Sequence, residues 1–79
     1  VTQFQDVVKE IVEAMAESAH TAWVSWYTER GITSRLSASG EEFLVPFSEL
    51  SEAGKDLDRT IMRAILNSFR SQGYKIELE

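Results

Sequence analysis

The chain has 79 residues, 43% of them hydrophobic, with two Trp, two Tyr, four Phe, no Cys and a formal net charge of −5. That length makes one domain, residues 1–79, whose core must come from packed side chains because no disulfide framework or Cys-based zinc site can reinforce it. The acidic balance argues against nucleic-acid binding, which needs a basic footprint, and against docking on an anionic membrane.

In chain order, the first element is a long helix over about residues 3–30. Phe4, Val8, Ile11, Met15, Ala19, Ala22 and Trp26 recur every three or four residues and fall on one face, with Val12, Ala16 and Trp23 widening the stripe. Thr2 is the expected N-cap and Gly31 the C′ stop. About 28 residues at 1.5 Å each would span on the order of 40 Å, longer than the rest of so small a domain can cover. Residues 32–42 read as a polar linker, with Ser34, Ser37, Ser39 and Gly40 as turn formers. Phe43-Leu44-Val45-Pro46-Phe47 follows as an apolar strap, held extended because Pro46 biases Val45 away from the helical region. Ser48 to Leu50 is expected to form a single helical turn.

A second long helix is predicted over about residues 52–72. Leu57, Ile61, Ala64, Ile65 and Phe69 form its apolar face, Met62 stands at the margin, and Gly73 with Tyr74 fits a Schellman stop. The tail Tyr74-Lys75-Ile76-Glu77-Leu78-Glu79 alternates apolar and charged residues, so it is expected to be short and extended with one side buried. The fold class is therefore all-α: two long helices joined by a loop that carries an extended strap and a short helical turn.

Catalytic chemistry lacks an inventory here. One His and no Cys leave no nucleophile–base pair or closed zinc shell, and no phosphate-binding loop is present. No enzyme activity, cofactor or metal site is expected. The pair Glu41-Glu42 reads as a solvated surface in a polar linker. No apolar run approaches the ~18 residues of a membrane-spanning helix and no signal-peptide pattern opens the chain, so a cytoplasmic setting is expected. Val rather than Met at position 1 suits a segment cut from a longer protein.

A few residues stand out as candidates for binding. His20 lies at the shoulder of the first helix's stripe, beside Ala16, Trp23 and Tyr27. Either it ties the helix to the strap through a backbone carbonyl, or it is a ligand-facing donor beside the wall made by Trp23. Asp58 is the charged residue on the apolar face of the second helix, where a carboxylate needs donors, so it is expected to be a structural tie. Its candidate donors are strap N–H groups, His20 or a Trp indole, unless the helix begins late enough to put Asp58 in its first turn. Trp23, Trp26 and Phe47 are core residues by default, and Arg59 either is a surface residue or meets an anionic group.

Taken together, Ala16, His20 and Trp23 on a helix, then Gly31, Leu44-Val45-Pro46-Phe47-Ser48-Glu49-Leu50, Lys55-Asp56-Leu57-Asp58-Arg59 and Gly73-Tyr74-Lys75-Ile76 resemble the ryanodine-receptor repeat, or RyR domain, family. The resemblance covers about residues 11–76 and is fairly specific in its order and spacing. It departs at Ile32, where the family tends to have Trp, and at Glu42-Phe43, which replaces a His-Pro in a usually longer linker. It implies a small, non-catalytic helical module, and a single copy of this length looks like the prokaryotic members. The leading expectation is a module that binds a small anionic, nucleotide-like ligand in a cleft between the first helix and the strap, using His20, Trp23, Pro46, Phe47, Arg59 and Tyr74. The alternative is a protein-interaction or oligomerisation domain whose overlong first helix pairs with a second copy or a neighbouring domain.

Overall fold

A computed structural model of the chain describes residues 4–75, with side chains from residue 7 onward. Helix α1 spans Phe4–Thr28, a 3-10 turn spans Phe47–Glu49, and helix α2 spans Glu52–Ser71. Both helices end as their sequences demand. Gly31 (φ 74°) and Gly73 (φ 92°) take the left-handed conformation that a side chain would resist. Behind each, a six-residue closure forms: the Ile32 N–H donates to the Tyr27 carbonyl, and the Tyr74 N–H to that of Phe69. Thr2, the expected N-cap of α1, and residues 76–79 of the expected tail lie outside the described residues.

The linker is more ordered than its composition suggests. An antiparallel bridge pairs Leu36 with Glu42 around a turn closed by Gly40. Glu41 and Glu42, expected to be a solvated surface, instead fold it. The Glu42 carboxylate accepts the N–H of Arg35 (2.7 Å) and of Leu44 (3.3 Å). Glu41 accepts both the N–H (2.8 Å) and the hydroxyl (2.6 Å) of Ser51, while Ser51 Oγ accepts the Gly54 N–H as the N-cap of α2. The expected turn over residues 48–50 starts one residue earlier, because Pro46 at φ −56° is its N-cap.

The two helices pack against each other and the strap lies against them, but the buried faces are not the expected ones. On α1 the innermost line is Val12, Ala16 and His20, four residues apart, exposed by 1%, 0% and 5%. Ala22 and Trp26, expected on the core stripe, are exposed. The cause is size: methyl-sized Ala16 lets Phe47 and Leu50 close onto the helix, and Phe43, Val45 and Met62 pack around that cluster. Trp26 instead packs on Tyr27, with Arg30 3.8 Å above its ring. On α2 the shift is larger. Met62, expected at the margin, joins the core, while Leu57, Ile61, Ala64, Ile65 and Phe69 face outward. Among the described residues no helix is long and apolar enough to cross a membrane.

Candidate functional site

His20 is the hub of the molecule. Its ring nitrogen Nε2 stands 2.8 Å from the Val45 carbonyl, and since a carbonyl only accepts, Nε2–H is the donor. That bond ties α1 to the strap. The other nitrogen, Nδ1, faces Asp58 Oδ2 on α2 at 3.5 Å. Trp23 stacks on one side of the ring (5.5 Å between centroids, 26° between planes), and Phe47 meets it at a tilt (6.1 Å, 58°). His20 thus lies at the centre of the buried seam rather than at its shoulder. Because α2 begins at Glu52, Asp58 sits beyond the first turn, and its charge does not complement the helix dipole there. Burial pushes the Asp58 carboxyl above its ordinary value, and the His20 ring works in the opposite direction.

Two clefts open on either side of His20. The first, about 240 Å³, runs between α1 and α2 and is lined by His20, Trp23, Phe43, Leu50, Gly54 and Asp58, with Leu57 and Ile61 at its wall. Its surface is apolar apart from the His20–Asp58 pair. Gly54 lies on its floor, where a Cβ would sit in ordinary contact with the Glu41 carboxylate and the Phe43 ring at 3.4–3.5 Å. The second cleft, about 250 Å³, lies between α1 and the strap and is bordered by His20, Thr21, Val24, Ser25 and Leu44–Pro46.

The six residues expected to share one ligand site are therefore dispersed. His20 and Trp23 line the first cleft together with Asp58, which had been assigned a structural role. Pro46 borders the second cleft, and Phe47 lines neither, being buried against His20. Tyr74 is exposed at the far end of α2, edge-on to Phe69. Arg59 reaches neither cleft. Its guanidinium makes a bidentate pair with Glu13 (2.6 and 2.9 Å) and a third bond to Glu52 (3.0 Å), cross-linking α1 to α2. Hydrogen bonding to Arg59 holds the Glu13 carboxyl below its usual range. Phe43, Leu50, Gly54, Leu57 and Ile61 were missed as cleft residues. An aromatic at the start of the strap and the start of the α2 apolar face were the available signals, but spacing alone does not tell a cleft wall from a core face.

The arrangement of these residues along the chain can be set against known proteins. A model of the RyR domain family matches residues 2–78. The chain belongs to the RyR domain family. No curated protein and no solved structure matches it. The membership gives the fold a named context, and the His20 hub explains physically why a RyR domain of this size holds together. One imidazole joins the first helix to the strap and faces the second helix, and two clefts form where the three elements diverge.

Proposed function

We propose that this RyR domain is a non-catalytic binding module that takes a protein partner in the groove between α1, Phe43 and α2. One observation carries this reading: the sharpest apolar stripe of the chain is turned outward and runs into that groove. Leu57 and Ile61 are 53% and 46% exposed while also lining the cleft. Contiguous apolar surface on a small domain marks an interaction site, whereas singly scattered apolar residues do not. An amphipathic helix or an apolar side-chain knob suits such a groove. The test uses Trp23 emission, isolated by Trp26→Phe, during titration with a panel of amphipathic helical peptides. A saturable shift that is lost in Leu57→Glu supports the reading, and a folded sample indifferent to the whole panel overturns it.

A second reading, a small-ligand site, is favoured by one specific observation: the Asp58 carboxylate beside His20 in an otherwise apolar cleft. A flat group stacking near Trp23 and donating N–H bonds to Asp58 matches that chemistry. A phosphate matches it less well, because Arg59 is committed to Glu13 and Glu52. Calorimetric titration with nucleobases, nucleosides, and cyclic and linear nucleotides separates the cases. Heat from the phosphate-bearing compounds alone would restore an anionic ligand, and silence across the panel would remove this reading.

A further inference from the structure

The groove's occupant can be sought on the same helix. Leu57, Ile61, Ile65 and Phe69 stand four residues apart along one line of α2 and are 40–55% exposed. The first two line the groove; Ile65 and Phe69 lie outside its lining, and Phe69 borders a shallow hollow with Leu66, Arg70 and Tyr74, whose ring is edge-on to it at 6.2 Å. One line of one helix thus borders the groove at its start and offers a half-exposed Phe ring at its end. We propose that two copies of this chain pair through antiparallel α2 helices, with Phe69 of each copy seated in the groove of the other. This rests on reading the groove as a protein-binding site, and it names the partner as a second copy.

The register follows from symmetry. The line is centred on position 63, so a two-fold axis there sets Leu57 opposite Phe69 of the second copy and Ile61 opposite Ile65. Arg63 itself points about 160° away from Ile61 at 100° per residue, so it stays off the contact. The flanking Thr60, Ala64 and Ser68 are small and allow a close helix–helix approach.

Volume and area agree with this occupant. The groove's 240 Å³ exceeds the ~150 Å³ cavity that accepts a benzene ring, so a Phe ring fits. A half-exposed large side chain offers on the order of 100 Å². Leu57, Ile61, Ile65, Phe69 and Tyr74 from two copies therefore supply about 1,000 Å², the lower end of a specific interface and the scale of a weak, reversible dimer.

Sedimentation velocity of the full chain over roughly 10 µM to 1 mM covers the affinity proper to such an area. A monomer–dimer equilibrium is expected, with the dissociation constant raised at least about tenfold by Phe69→Glu, equivalent to about 1.4 kcal/mol. Mixed labelled and unlabelled chains should show intermolecular contacts from Phe69 to Trp23 and Leu57 by isotope-filtered NMR. A monomer at every concentration overturns the proposal, and so does a dimer indifferent to Phe69→Glu. Peptide binding read from Trp23 in the Phe69→Glu variant keeps the outcomes apart. If peptide binds while the wild-type chain is monomeric, or while its dimer is indifferent to Phe69→Glu, the groove reading stands and the second copy falls; if no peptide binds and no dimer forms, both fall.

Discussion

The two helices make opposite use of their apolar residues. In α1 the line Val12, Ala16, His20 is almost fully buried although it includes a polar ring and a methyl group. In α2 the larger and more regular line Leu57, Ile61, Ile65, Phe69 is left 40–55% exposed. Amphipathic spacing identifies which face is apolar; it does not say whether the same chain covers it. What decides burial is where the neighbouring element can approach most closely, and that is the Ala16 position, against which Phe47 and Leu50 pack.

Substitutions can break or sharpen that contrast. The largest effect is expected at Phe47→Ala, which empties the cluster against Ala16 and should cost about 3–5 kcal/mol, enough to unfold much of so small a domain. Circular dichroism during chemical denaturation measures it. Next comes His20→Ala, which orphans the Val45 carbonyl and removes the ring separating the two clefts, for an expected loss of about 2–3 kcal/mol by the same measurement. Ser51→Ala removes the α2 cap and the hydroxyl bonded to Glu41, and should cost about 1 kcal/mol.

Glu41→Gln probes the linker through pH. Hydrogen bonds from the Ser51 hydroxyl and N–H hold the Glu41 carboxyl below its ordinary value of 4.5. A carboxyl lowered in the folded state contributes stability that is present above 4.5 and lost as pH falls through the folded value. The variant should therefore melt lower than wild type at pH 7, with the gap closing in acid; melting curves from pH 7 to pH 3 check this. Asp58 has the opposite sign: its raised value makes the ionised form a cost that appears as pH rises above 3.8. Smallest of all, Phe69→Ser on the outward line should change monomer stability by no more than about 0.5 kcal/mol, measured at a concentration too low for association. A loss as large as that of His20→Ala would mean that the outward line is part of the core and would erase the contrast between the helices.

Much of the architecture was legible. Gly31 and Gly73 mark the two helix stops, Pro46 marks the strap, and the order of these features carries the family resemblance. The α2 boundaries differ from expectation by one residue at the C-terminal end. The site was less legible. Glu41 and Glu42 look like any acidic pair in a polar linker, since their value lies in the N–H groups of Arg35, Leu44 and Ser51 that the folded loop brings to them. Arg59 read as a surface residue or as the partner of an anionic group, because Glu13, 46 residues away, is not visibly its partner in the sequence.

The sequence by itself determined the local conformations: helix, glycine stop, proline-bound strap and capped second helix. These depend on backbone preferences and on neighbours within about four residues. The tertiary structure alone decided that His20 bonds to Val45 and faces Asp58, that Arg59 is held by Glu13 and Glu52, and that the apolar line of α2 faces outward. Each of those outcomes depends on which faces of two helices meet. Packing around one alanine set that choice, and helical periodicity did not.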